Sequence, residues 1–309
     1  MKKIIALVLV LTLSLFAFAA CGGKDKGDNT PAEKTYYLSL AVEGAGDASL
    51  SYGTYEVSPH VAAVVTDADG KIVAVRFDCA QTKFQFNEDG SLIAIDRVTT
   101  KVELKEAYGE MPAGTWYVQA QAFENFVKGM TKADIEALDV NAVTGCTMKG
   151  TNPVFKALIL EALNYEHKVE FKTTETNITL GVAIDANLAA TEDGAQFNAN
   201  YGAVAFAGDK VAAAMLDETQ TTLAIADGEV SVTTFKGSKN EQGEAYGQMP
   251  AGTWYKQAKG YCTTAVGKTL ADLANLDGAN TEALTAAGCT MKNVAGYKAV
   301  LNNAGKYAR

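Results

Sequence analysis

Thr147 and Thr290 carry the most suggestive chemistry in this chain. Each closes the phrase Gly-Cys-Thr and precedes Met-Lys, giving Gly145-Cys146-Thr147-Met148-Lys149 and Gly288-Cys289-Thr290-Met291-Lys292. Glycine permits a tight turn that exposes the side chain after it. Thr147 lies five residues before Asn152 and Thr290 three before Asn293, where helical patterns begin. A helix N-terminus offers unpaired N–H groups and the positive end of its dipole. Lys149 and Lys292 add positive charge beside it. The combination suits a hydroxyl placed next to a phosphate. The plain alternative is a structural turn, with Cys146 and Cys289 as small core fillers and solvated lysines.

Other chemistry is sparse. The two histidines, His60 and His167, have no metal-ligand spacing around them. No Ser/His, Cys/His or paired-carboxylate arrangement stands out, so a hydrolase is the least favoured class. The formal charge is −9, and removing Lys2 and Lys3 with the leader described below makes it −11. So acidic a surface argues against nucleic acid and against electrostatic docking to anionic lipid. Cys79 and Cys262 have no counterparts in the repeat, whereas Cys146 and Cys289 match, so the expectation is buried thiols rather than disulfides.

The elements that position the threonines come in two copies. EAYGEMPAGTWY at 106–117 recurs as EAYGQMPAGTWY at 244–255. Trp116/Trp254, Gly129/Gly267, Thr131/Thr269 and Asp139/Asp277 keep an offset of 138, and Thr147/Thr290 are 143 apart, so five residues are inserted before the second Gly-Cys-Thr. Asp78-x-x-Gln81-Thr82 answers Asp217-x-x-Gln220-Thr221 upstream. Strands are expected at 61–66, 72–78, 91–98, 203–207, 211–217 and 230–235, with turns at 67–70, 87–90, 208–209 and 227–228. Trp116, Ala120, Phe123, Val127 and Met130 form a helical stripe behind the N-cap Thr115, and Trp254, Ala258, Tyr261 and Ala265 repeat it. Thr131-x-x-Asp134 and Thr269-x-x-Asp272 read as capping boxes of short second helices, and third helices start near Asn152 and Asn293. The fold class is therefore α+β, as two tandem copies of an antiparallel sheet followed by two or three helices, at 35–166 and 167–309.

Ahead of them, Met1-Lys2-Lys3 and an uncharged apolar run to Ala20 read as a leader. Phe18-Ala19-Ala20-Cys21 resembles a bacterial lipobox, which makes Cys21 the lipidated first residue of the mature chain. Residues 22–34 read as a flexible tether of about 20 Å root-mean-square span. The expected location is the extracytoplasmic face of the cell membrane, held by the lipid.

The loop Asn141-Ala142-Val143-Thr144-Gly145-Cys146-Thr147 resembles the S-G-A-T segment of FMN-binding domains. Such domains occur in the C and G subunits of ion-pumping oxidoreductases and in flavinylated bacterial surface lipoproteins. A turn like 67–72 precedes the segment in many members. The resemblance implies FMN esterified to Thr147 and Thr290 by a flavin transferase. Thr144-Gly145 and Ala287-Gly288 would be the preceding turns. This chain has Cys146 and Cys289 where the family has alanine, Asn141 and Leu284 where it has aspartate, and Ala287 in place of Ser or Thr. Tyr108, Trp116, Tyr117, Tyr246, Trp254 and Tyr255 are candidate faces for the flavin ring, with core packing the alternative for both tryptophans. The function implied is a covalent-flavin electron carrier, fed by a membrane dehydrogenase or quinone pool, rather than an enzyme with its own substrate. The alternatives are a diverged domain that binds a small ligand or cell-envelope partner without flavin, and a purely structural surface protein.

Overall fold

The computed structural model describes residues 31–44, 49–51, 54–87, 91–192, 194–226, 229–234 and 237–309. The leader, Cys21 and most of the tether lie outside the described residues, as do Glu88, Asp89, Gly90, Asp227 and Gly228 of two expected turns. The chain begins with β1 (Lys34–Val42), β2 (Ser49–Ser51), β3 (Thr54–Val57), β4 (His60–Asp67), β5 (Ile72–Cys79) and β6 (Thr82–Phe84). Helices α1 (Lys101–Leu104), α2 (Trp116–Phe126), α3 (Lys132–Ala137) and α4 (Thr151–Asn164) follow. Next come β7 (Val169–Thr173), β8 (Ile178–Thr191), β9 (Gly194–Ala207), β10 (Lys210–Ala226) and β11 (Glu229–Thr234). The chain closes with α5 (Lys239–Gln242), β12 (Gln248–Met249), β13 (Gly252–Thr253), α6 (Trp254–Thr263), α7 (Leu270–Leu273), α8 (Glu282–Ala286) and α9 (Ala295–Lys306). The fold is α+β, with antiparallel strands followed by helices in each half.

Turn chemistry sets the β4–β5 hairpin. Asp67 Oδ1 accepts the N–H groups of Asp69 and Lys71 at 3.0 and 2.9 Å, and Gly70 takes φ +76°. The first sheet has the order β5-β4-β1-β7 and the second β11-β10-β9-β8. Side chains alternate between two faces with a period of two. On β4, Val61, Ala63 and Val65 enter a core shared with Leu180, Val182, Phe197 and Tyr201 of the second sheet. Ala62 and Val64 instead meet Trp116, Phe123, Phe155 and Ile159 of α2 and α4. On the second sheet, Val204, Phe206 and Leu216 meet Trp254, Tyr261, Tyr297 and Leu301 of α6 and α9. The layers are helix, sheet, sheet, helix, and Glu33–Arg309 is one compact unit. Leu38, Phe155 and Ile159 are fully buried, each contributing about 1.5–3 kcal/mol.

Most expected elements are present, including the capping boxes Thr131/Asp134 and Thr269/Asp272. Residues 91–98 differ: they form no strand. Leu92 bridges to Phe86 and Ile95 to Leu188, and Val98 N–H donates to the Ala186 carbonyl at 2.8 Å; a bend at Asp96 interrupts the pairing with β8, so these contacts do not join into a strand. β7 pairs with β1, placing residues 169–173 in the first sheet. Helices α1 and α5 and the small sheet β2-β3-β6 had no sequence expectation.

Candidate functional site

The two Gly-Cys-Thr loops are held by the same device. Gln119 of α2 is fully buried and donates Nε2 to the Gly114 carbonyl at 2.8 Å. That bond orients the amide, so Oε1 faces the loop and accepts the Thr147 N–H at 2.7 Å and the Thr147 hydroxyl at 3.1 Å. Gln257 of α6 repeats this with Gly252 at 3.1 Å and with Thr290 at 2.8 and 2.9 Å. Gly145 and Gly288 take φ +80° and +85°, a region that favours glycine. Thr144, Thr147, Lys149 and Lys292 are exposed and Thr290 is half-buried. Lys149 and Lys292 make no ion pair among the described residues.

Cys146 and Cys289 point inward, 5% and 0% exposed, and burial pushes both thiols up. Cys146 Sγ donates to Asn152 Oδ1 at 2.8 Å, and Asn152 Nδ2 reaches the Val140 carbonyl at 3.1 Å. The helix start beside Thr147 is less open than expected. The Thr151 and Asn152 N–H groups both donate to the Met148 carbonyl, at 3.0 and 2.8 Å, and Pro153 has no N–H to offer. In the second half, Ala295 N–H donates to Asn293 Oδ1 at 3.2 Å.

The five-residue insertion appears as α8. Asn141 sits exposed in a 3₁₀ turn capped by Asp139, whereas its counterpart Leu284 is buried inside α8. Asp277 also serves a turn, accepting the Thr281 hydroxyl at 2.8 Å. The loop then presses on α6: a Cβ at Gly260 would lie 2.3 Å from the Ala287 carbonyl oxygen. The matching residue of α2 is Ala122.

No protein-family model, curated protein or solved structure gives a significant match to this chain.

A second duplicated cluster draws its tryptophans from the same helices, α2 and α6; its tyrosines and tryptophans were sequence candidates, and its lysines were not. Lys101 Nζ sits 4.6 Å from the Tyr108 ring centroid and 5.5 Å from that of Trp116, and Lys239 matches it over Tyr246 and Trp254 at 4.6 and 5.3 Å. Both lysines are 7% exposed. Trp116 and Trp254, 1% and 2% exposed, are core residues, so they present no free face to a flavin ring. Tyr117 lies beneath the Arg309 guanidinium and Tyr255 stacks on His167. The halves differ around the lysines. Lys239 Nζ pairs with Glu218 Oε1 at 2.6 Å, Glu218 Oε2 accepts the Tyr297 hydroxyl at 3.0 Å, and that hydroxyl accepts Trp254 Nε1–H at 2.8 Å. In the first half Cys79 occupies the place of Glu218 and Phe155 packs on Trp116, whose Nε1–H has no partner. Lys101 makes no ion pair among the described residues.

The Asp-x-x-Gln phrases anchor these clusters. Asp78 Oδ1 accepts Cys79 N–H at 2.8 Å and Val102 N–H at 3.1 Å, and Asp217 does the same for Glu218 and Asn240 at 2.8 and 3.0 Å. Each carboxylate thereby caps a helix, α1 or α5. Burial raises both pKa values to about 7. Gln81 and Gln220 accept the Tyr108 and Tyr246 hydroxyls.

One further grouping escaped the sequence, because its members are far apart in the chain. His60 Nδ1 lies 2.8 Å from Glu43 Oε2, and Cys79 faces His60 across β4 and β5. Burial opposes the imidazolium, but Cys79 and Glu43 outweigh it and raise the pKa to about 9. Cys79 is fully buried, so no substrate reaches it. Among the described residues no cluster of three or more His, Cys, Asp or Glu side chains is suited to a metal.

Proposed function

We propose that this is an extracytoplasmic lipoprotein that carries covalently bound FMN and relays electrons, with Thr147 as the principal acceptor and Thr290 as the weaker one. One observation carries the reading. The Thr147 hydroxyl is exposed on a positive-φ glycine turn and donates its proton to the buried Gln119, which leaves the oxygen lone pairs turned outward. When a flavin transferase esterifies Thr147, the oxygen bonds to the donor's phosphorus, and the donor's leaving group departs from that phosphorus and takes up the threonine proton. The bond from Thr147 N–H to Gln119 still fixes the loop. Thr290 is the more enclosed, half-buried where Thr147 is exposed. The flavin supplies the redox chemistry; the protein supplies position. Among the described residues no helix is long and apolar enough to cross a membrane; in this reading the lipid on Cys21 holds the protein at the membrane.

A second reading, a flavin-free binding domain, is favoured by the Met148 carbonyl, which already takes the helix N–H groups a phosphate would use. Co-expression with a flavin transferase followed by intact mass measurement separates the two. The carrier reading requires an FMN-sized increment that Thr147→Ala removes. Unmodified wild-type protein rejects it.

A further inference from the structure

We infer that the second half holds a binding site for a neutral, hydroxyl-rich molecule of saccharide size, in the cavity between β10 and α5. This site is separate from flavin attachment and uses neither threonine. The cavity has a volume of about 360 Å³, and its wall includes Gln196, Glu218, Gln220, Lys239, Gln242 and Tyr246. Small-molecule sites begin at roughly 300 Å³.

The charges of the wall cancel within it. Lys239 is paired with Glu218, and the second carboxylate oxygen of Glu218 takes the Tyr297 hydroxyl. A charged ligand would have to break that pair and strand one partner. The groups left open are amides. Gln220 uses Oε1 for the Tyr246 hydroxyl at 3.3 Å, and its Nε2 has no partner among the described residues. Gln242 uses Nε2 for the Gly237 carbonyl at 2.9 Å and keeps Oε1 available. The Gln196 side chain makes no hydrogen bond among the described residues and offers both functions. Amide donors and acceptors match sugar hydroxyls, which donate and accept at one oxygen. Among the described wall residues Ala245 is the only one with an aliphatic side chain, so they offer a lipid or apolar peptide side chain little to pack against.

The first half shows the same framework closed. Cys79 stands at the position of Glu218, and Gln81, which takes the Tyr108 hydroxyl as Gln220 takes that of Tyr246, donates its Nε2 to Glu56 of β3. The matching amide is therefore spent internally, and the second half alone keeps it for a ligand.

Titration calorimetry on the full chain, expressed without a flavin transferase, tests this apart from the flavin reading. The probes are glucose, maltose and N-acetylglucosamine, with glutamate and inorganic phosphate as charged comparisons. The expected result is saturable binding of at least one neutral sugar, weakened roughly three- to tenfold by Gln220→Ala and again by Gln196→Ala, and unchanged in Gln81→Ala. Circular dichroism verifies that the variants fold. No binding of any sugar, preferential binding of a charged probe, or wild-type affinity in the folded Gln196→Ala/Gln220→Ala double variant would overturn it.

Discussion

Gln119 holds Thr147 twice, through its backbone N–H at 2.7 Å and its hydroxyl at 3.1 Å. A fully buried side chain on a core helix thus sets the geometry of an exposed residue twenty-eight positions later. Its own amide is locked by the Gly114 carbonyl, so the contact cannot swivel.

Gln119→Ala should therefore loosen the loop and lower stability by about 2–3 kcal/mol, since three hydrogen bonds and a buried volume are lost. Equilibrium urea unfolding gives the stability change, and native-state hydrogen exchange should report a faster Thr147 amide. An unchanged exchange rate would mean the loop stands without Gln119.

Asp78 and Asp217 make stability depend on pH. Burial raises their pKa values from 3.8 to about 7, so the folded state holds these protons more tightly than the unfolded state. Their contribution is complete below pH 3.8 and is lost as pH rises through about 7. Asp78→Asn keeps an oxygen for the Val102 N–H but removes the titration. The expected result is a decline in wild-type stability between pH 4 and 8 that is on the order of 2 kcal/mol steeper than in the variant. Parallel unfolding curves across that range would dismiss the idea.

The Tyr297 hydroxyl joins Trp254 Nε1–H to Glu218 in the second half. Tyr297→Phe alone should lose about 1–3 kcal/mol, because both partners are left unsatisfied. Adding Glu218→Cys recreates the Phe155 and Cys79 pairing of the first half. The double variant should be less damaged than the two single changes added together, and a double-mutant cycle in thermal unfolding measures the difference. Strict additivity would show that the three groups act separately.

Glu124 lies within α2, 1% exposed, between Arg76 at 3.2 Å and Arg309 at 2.7 Å. Removing the acid strands Arg76 in the interior, so Glu124→Ala should be destabilising by about 3–5 kcal/mol. Arg309→Ala should lose less, because the acid keeps Arg76. Chemical denaturation of the two variants checks the ranking, and equal losses would contradict it.

Thiol counting tests the anchor. Cys79, Cys146, Cys262 and Cys289 are free and buried, so all four should resist a thiol reagent until the protein unfolds. The unfolded mature protein should then titrate four thiols if the Cys21 sulfur carries lipid; a count of five means a bare Cys21 thiol.

Local signals made much of this fold readable. The Thr131/Asp134 capping box and the Asp67–Gly70 turn carry their own hydrogen bonds within a few residues. Helix α1 had an equal signal in Thr100 and Glu103, a capping box repeated as Ser238 and Glu241 at α5, but four-residue helices are too short for an apolar stripe. The register of β7 against β1 was hidden because the partners are over a hundred residues apart. At the site, the Gly-Cys-Thr loops stand out in the sequence, whereas Gln119 and Lys101 look like ordinary polar surface residues. Their clue was recurrence: Gln119/Gln257 and Lys101/Lys239 keep the repeat offset of 138, and a polar residue preserved in both copies is a reason to look for a buried partner.

The shared core has one more consequence. Val61, Ala63 and Val65 of one sheet are covered by Leu180, Val182 and Phe197 of the other, and outward helices cannot take that role. A chain with one sheet and its helices would show water a bare apolar flank, and would need a second copy of itself to hide it. Joining both on one polypeptide turns a concentration-dependent encounter into an internal one. It also frees the partners from identity, so one side was able to keep Glu218 and an open amide while the other closed over Cys79.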